Sequence, residues 1–432
     1  MEKLLQIAKE KADQAEIYYS RCSDDFISII DSKFNKVTSS IVSGYALRVI
    51  KDGKIGFSYT RNLIDREKLI EQALKSAEKG AKVEFSFPKT TKTASLKTYD
   101  PDIKLVNKQQ LIKEAKEIVQ YIKSKSTAQI DMCFYIAEWE KRLVNSAGTS
   151  LRELKSWYTF YLSFPFPETV SNISISLLAK KQQPLMDKAK IDHLLELYTI
   201  SEKQIKVITG KMKVILMPEA VGSFIGRFNE AIHPFYFDNK TSPLLNKMEK
   251  QIFSDKLTIY QDPLDDSNLE ASAFDGEGVA RQKTVFVENG VLKNIYTDLK
   301  YSAKLNLTPT GNGGRSEIES SINPSVNCYS ITPGNKSLEE MIENIEEGII
   351  IYNLMDSYSG NILEGDYSIG VSAAFYIKNG KLIGRVKDAM INGNIYETLN
   401  QINAIENEVH FFGLGNFPAI SFEEINVISS QT

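Results

Sequence analysis

Metal-assisted hydrolysis is the first chemistry to look for among the histidines and carboxylates of this chain. A catalytic zinc takes three protein ligands, keeps one position open for water, and needs a carboxylate to accept the water's proton. The 432 residues contain only three histidines, His193, His233 and His410. No two of them lie within a helical turn of each other, so neither a His-Glu-x-x-His nor a His-Glu-x-x-x-His helix can form. His233, before Pro234, reads either as a helix-end capping group or as a displaced ligand. His193, in Asp192-His193-Leu194-Leu195, reads as structural, and His410, beside Phe411 and Phe412, has no evident partner in the sequence.

The carboxylates Asp262, Asp265, Asp266, Asp275 and Glu277 fall within one short span. Such a group can bind a hard cation or work as an acid/base pair. The spacing fits no EF-hand, and Gly276 and Gly278 flank Glu277 as turn residues do, so solvated loop charges are the expected role. Asp366, in Gly365-Asp366-Tyr367-Ser368, suits the shaping of a turn through backbone N–H bonds. Thr310-Gly311-Asn312-Gly313-Gly314-Arg315 has the glycines of a phosphate loop but lacks its Lys-Ser/Thr pair and its strand-to-helix setting. It reads as a flexible loop lining a cleft. No Gly-x-Ser-x-Gly elbow is present.

The composition that must position these groups is that of an ordinary globular protein, 42% hydrophobic and 25% charged, long enough for two domains. A net charge of -3 argues against nucleic acid as a direct partner. Cys22, Cys133 and Cys328 form no pair at metal or disulfide-framework spacing and read as reduced thiols. Met1 to Glu16 patterns as an amphipathic helix, unlike a signal peptide, and no window holds the roughly 20 apolar residues of a membrane span. The cytoplasm is the expected location, with no cofactor and no membrane partner.

The elements follow from periodicity. A strand is expected over Ile17 to Ile30, and a hairpin near 45–60 with Asp52-Gly53 as a type I′ turn. Helices are expected near 65–82, capped by Asp65, near 108–125, and around Asp187 to Ile200. Strands fill Gln129 to Lys180. A boundary near 203–211 divides an N-terminal α/β domain, 1–205, from a β-rich C-terminal domain, 206–432. In the latter, Asn289-Gly290 and Asn379-Gly380 mark hairpins, Ser337 and Glu340 form a capping box, and Gly348 stands where that helix ends. Several hairpins exclude an all-parallel sheet, so the fold class is α+β.

Four segments taken together are similar to the TldD/PmbA family, also called modulators of DNA gyrase. They are Ser43-Gly44-Tyr45-Ala46-Leu47-Arg48-Val49-Ile50 with Asp52-Gly53; Phe274-Asp275-Gly276-Glu277-Gly278-Val279; Thr310-Gly311-Asn312; and Gly365-Asp366-Tyr367-Ser368 followed by Ile391-Asn392-Gly393-Asn394-Ile395. The resemblance implies an N-terminal α/β part and a C-terminal part on a curved, mainly antiparallel sheet. It also implies pairing, with a TldD-like subunit or with a second copy, to process short or unfolded peptides. TldD-type members carry His-Glu-x-x-x-His and a downstream Cys. Here the helix expected from Pro218 places Gly226 and Ala231 where the histidines would stand and Arg227 where the glutamate would stand, and Phe411-Phe412-Gly413-Leu414-Gly415 holds no Cys. This is the PmbA (TldE) pattern. By the same resemblance Asp275, Glu277, Thr310, Asn312, Asp366, Ser368 and Asn394 are candidate substrate-binding residues, with no catalytic residue and no metal ligand. Two alternatives stand beside this reading: a hydrolase rebuilt on the Asp262 to Glu277 carboxylates, and an interaction protein acting on gyrase without proteolysis.

Overall fold

The computed structural model describes residues 1–167, 169–185, 187–355, 359–413 and 415–429. Segments rich in Tyr, Phe, Ile and Val form a six-stranded antiparallel sheet: β1 (Gln14–Ile30), β2 (Lys33–Lys51), β3 (Lys54–Thr60), β4 (Asp131–Asn145), β5 (Ser150–Pro165) and β6 (Asn172–Ala179), in the order β3-β2-β1-β4-β5-β6. Asp52 and Gly53 adopt φ of 51° and 70°, as a type I′ turn requires at both central positions.

Strand alternation gives this sheet two distinct faces. Ala15, Ile17, Ile27 and Ile29 of β1 lie under helices α1 (Glu2–Lys11), α2 (Arg66–Glu78) and α3 (Lys108–Lys123). Asp65 caps α2 by accepting from the Lys68 N–H at 2.9 Å. Gly56 is needed where α2 crosses β3, since a Cβ there would sit 2.1 Å from the Ala73 carbonyl oxygen. The opposite face carries Glu16, Tyr18, Ser20 and Cys22 of β1 beside Trp139 and Lys141 of β4, and it turns toward the C-terminal half.

Helix α4 (Lys188–Ser201), capped by Asp187, and the short strand β7 (Gln204–Ile205) lead into β8 (Gly210–Leu216). β8 pairs in parallel with Glu347–Met355 and antiparallel with Ile420–Ser429. Ile420–Ser429 pairs with Ala389–Asn394, Ala389–Asn394 with Asp366–Lys378, and Asp366–Lys378 with Glu347–Met355, which closes a five-strand ring. A second six-stranded sheet includes Ile259–Gln261 and Thr284–Glu288 and ends at His410–Phe412. The fold is therefore α+β with mainly antiparallel sheets. One apolar core joins the halves, with Phe134 and Phe160 of the first sheet clustered with Ile215, Ile350 and Phe375 of the ring.

Three local readings are corrected. The Ser337/Glu340 capping box forms, but its helix ends at Glu343 with Asn344 as C-cap, and Gly348 lies inside the next strand. Gly348 is there for closeness: a Cβ would fall 2.5 Å from the Lys213 carbonyl oxygen of the parallel neighbour. The Thr310–Arg315 loop is packed, with Asn312 fully buried. His410 has a partner four residues upstream, Glu406, at 3.4 Å.

Candidate functional site

Helix α5 (Pro218–Ala231) leaves β8 at Met217, and Pro218 occupies a first-turn position where its missing N–H costs no hydrogen bond. Ala220, Val221, Phe224, Ile225, Phe228 and Ala231 form the buried stripe that seats the helix on the ring. Gly222 faces the rings of Phe412 and Phe417, while a Cβ added at Gly226 would meet nothing within 4 Å. Arg227 is 1% exposed. Its Nη1 donates to the Asp366 carbonyl at 2.7 Å and its Nη2 to the Ser359 carbonyl, so the guanidinium fastens the helix to the chain entering the ring. Leu414, in the Phe411 to Gly415 segment that holds no Cys, lies outside the described residues.

Zinc does not fit these positions. Gly226 offers no side chain, Ala231 a methyl group and Arg227 a fixed cation, none with a lone pair for a metal. Among the described residues no three His, Cys, Asp or Glu side chains are grouped to hold a metal ion. His233 is the N-cap of the short helix Pro234–Asp238, its Nδ1 accepting from the Phe235 N–H at 3.2 Å. Burial holds its imidazole below the ordinary value. His193 is exposed, 4.0 Å from Glu196. Glu219, in the first turn of α5, is pushed up to about 7 by burial, against the opposing effect of the Asn353 amide that donates to it at 2.6 Å. The sequence reading missed this carboxyl as a titrating group, because the burial that raises it comes from tertiary packing, and the Asn353 amide that opposes the rise lies more than a hundred positions away.

The candidate substrate-binding residues divide into two groups. Asp275, Glu277, Thr310 and Asn312 meet at the junction of the two halves. Asp275 and Glu277 are 0% and 1% exposed, where sequence reasoning expected solvated loop charges. Asp275 Oδ1 accepts from the N–H groups of Glu277 and Val279, both at 2.9 Å, and its Oδ2 from Gly313 N–H at 2.8 Å. Burial and then the Glu277 charge push its carboxyl up to about 6. Glu277 Oε1 accepts from Arg48 Nη1 at 2.8 Å and Oε2 from the Leu299 N–H at 2.8 Å. Arg48 in turn makes a bidentate pair with Glu16, at 2.9 and 2.8 Å, its direct cross-strand neighbour. Burial acts to lower the Arg48 guanidinium, but Glu16 and Glu277 outweigh it and hold it well above its ordinary value. Asn312 exchanges two amide hydrogen bonds with Gln261, at 2.8 and 2.9 Å, and accepts from Thr310 at 2.7 Å.

Asp366, Ser368 and Asn394 sit apart from this junction, on adjacent strands of the ring. Asn394 is the register partner of Asp366 and donates to its Oδ1 at 2.9 Å and to the Glu364 carbonyl at 2.8 Å. Ser368 is exposed. Sequence reasoning missed Glu16, Arg48 and Arg315. A charge set among apolar residues in Ala15-Glu16-Ile17 and in Leu47-Arg48-Val49 was the available signal.

Comparison with known proteins places this geometry. A family model described as the PmbA/TldA metallopeptidase C-terminal domain matches residues 209–429, and one described as PmbA/TldA metallopeptidase domain 1 matches residues 15–77. An uncharacterised protein of Methanocaldococcus jannaschii is 26% identical over 428 residues, covering 98% of each chain. A protein named zinc metalloprotease TldD homolog from Saccharolobus solfataricus is 25% identical, covering 94% of this chain and 90% of its own. The crystal structure of TldE from Thermococcus kodakarensis superposes with a TM-score of 0.90 at 23% identity, covering 99% of this chain and 100% of that one. A proposed modulator of DNA gyrase from Thermotoga maritima superposes with a TM-score of 0.88 at 22% identity, covering 99% of each chain. With its C-terminal half and its first strands both matched, the chain belongs to the TldD/PmbA family.

Proposed function

We propose that the chain is a non-catalytic subunit of a TldD/PmbA-type peptidase system, shaping a chamber and holding short or unfolded peptides for a TldD-like subunit or a second copy of itself. The observation that carries this reading is Arg227. A buried guanidinium committed to two backbone carbonyls stands where the family's general base would stand, between a glycine and an alanine that cannot ligate zinc. The Asp275 and Glu277 oxygens are engaged by backbone N–H groups and Arg48, which supports a structural role for them over a rebuilt hydrolytic site. Among the described residues, 33–44 of β2 pair with β1 alone, leaving an edge on which an extended peptide or a partner strand can add by main-chain hydrogen bonds. In this proposal residues 1–205 and 206–432 are its two domains and the cytoplasm is its compartment.

Reconstitution tests the reading. The purified chain should leave a fluorogenic unfolded peptide uncut, and adding a TldD-type subunit from the same organism should produce cleavage that the TldD-type chain alone does not reach. Chelator-sensitive cleavage by the chain alone would overturn it.

A further inference from the structure

The face of the first sheet that carries no helices is only partly closed by the C-terminal loops. Two adjoining cavities, about 340 and 670 Å³, remain between them and share Tyr18, Trp139, Lys155, Glu270, Arg315 and Ser316. The smaller is lined by four cations, Lys141, Lys155, Arg281 and Arg315, against two carboxylates, Glu153 and Glu270. One of those carboxylates is already engaged: Glu153 accepts from Ser272 at 2.9 Å and from the Ala273 N–H at 2.8 Å and pairs with Lys141 at 3.0 Å. Lys141 also donates to Ser272 Oγ and the Phe274 carbonyl, so all three of its N–H bonds are committed and it contributes charge alone.

The remaining cations have donors to spare. The Arg315 side chain is 2% exposed, and its Nε and Nη1 have no hydrogen-bond partner among the described residues. Its Nη2 reaches Glu16 at 3.3 Å and its guanidinium lies over the Tyr18 ring at 4.6 Å. The Arg281 Nε is likewise without a partner, while its Nη1 donates to Asn327. Lys155 makes one hydrogen bond, to the Glu270 carbonyl at 3.0 Å. Burial, and then the neighbouring Arg48 charge, hold the Arg315 guanidinium down to about 10; burial likewise lowers Lys155. Buried guanidinium N–H groups left unpaired are costly, and an anion accepting from them would remove that cost.

We propose that this cleft is a carboxylate-binding pocket that seats the anionic end or an acidic side chain of a short peptide against Arg315, Arg281 and Lys155. The adjoining cavity favours a peptide over a bare inorganic anion. Trp139, Trp157, Tyr18 and Ile318 line it and offer apolar surface to the side chains next to the carboxylate. Its acids Asp24, Glu270, Glu317 and Glu319 face the cations Arg61, Lys155 and Arg315 and confine the anionic group to the cationic end. Planar two-pronged donors such as guanidinium match a carboxylate better than a lysine alone would.

The inference rests on the peptide-handling role proposed above, and its test is independent of cleavage. Full-length chain is titrated calorimetrically with N-acetyl-Ala-Ala-Phe bearing a free carboxyl end, with its C-terminal amide, with N-acetyl-Ala-Glu-Phe amide, and with inorganic phosphate. One of the two carboxylate-bearing peptides should bind at least tenfold tighter than the uncharged amide and than phosphate, and which one does identifies the source of the carboxylate. Arg281→Gln and Arg315→Lys should each erase most of that preference while the far-ultraviolet spectrum stays native; if Arg315→Lys unfolds the chain, Arg281→Gln decides alone. Equal binding of all three peptides, or a preference untouched by Arg281→Gln, overturns the pocket. Absence of any such preference in the unaltered chain, with its stimulation of a TldD-type subunit intact, overturns the pocket and leaves the subunit role standing.

Discussion

The junction between the two halves and the seat of α5 solve the burial of charge in opposite ways. At the junction, Glu16, Arg48, Asp275, Glu277 and the Arg315 side chain are buried as a network in which most oxygens and several N–H groups are matched side chain to side chain or side chain to backbone. Under α5 a single cation, Arg227, is buried in an apolar setting and answered by main-chain carbonyls. The first arrangement ties together segments hundreds of positions apart and leaves a buried charge uncompensated when a member is lost. The second fixes one helix to one loop. Helix α5 serves as a packing element, and the polar chemistry is concentrated at the junction.

The largest effect should come from the junction. Removing one partner of a buried ion pair leaves the other uncompensated, so Glu277→Ala should cost about 3–5 kcal/mol in urea unfolding. Glu277→Gln should recover part of it, since an amide oxygen can still accept from Leu299 N–H. Arg227→Met takes the charge away with its guanidinium and strands two carbonyls, a loss of about 1–3 kcal/mol. A greater loss for Arg227→Met than for Glu277→Ala would break the comparison.

The α5 seat also carries a pH signature. The folded state holds the Glu219 proton more tightly than the unfolded chain, with a value near 7 against an ordinary 4.5. Its contribution to stability is therefore complete below about 4.5 and is lost as pH rises through 7. Asp275, near 6, and Asp298, near 7, slope in the same direction. Melting temperature should fall between pH 4.5 and 7.5, and Glu219→Gln should flatten part of that fall; an unchanged slope would place the titration at the junction carboxyls. The smallest effect belongs to a surface cap: Ser337→Ala should cost about 1 kcal/mol, read from the same urea curves.

Much of the fold was legible because short-range signals carried it. Asp52-Gly53, Asn289-Gly290 and Asn379-Gly380 all adopt the paired positive φ values that their sequences foretell, and Asp65, Asp187 and Ser337 all cap helices. The ring closure was not legible, since Gly348 only makes sense once Lys213 lies against it. The site was half legible. Asp275, Glu277, Thr310 and Asn312 were singled out, but their burial and their mates Glu16, Arg48 and Arg315 depend on two distant segments meeting face to face. Arg227 was read as the residue standing in for a base; the carbonyls it holds are fixed by tertiary packing that no local pattern encodes.

The central claim is that α5 has lost the ability to hold zinc. Elemental analysis of the full-length chain, dialysed against micromolar zinc and then buffer, tests it most directly. The account predicts well under one equivalent of zinc, unchanged by Arg227→Met. A full equivalent of tightly held zinc, lost on altering residues of α5, would contradict it.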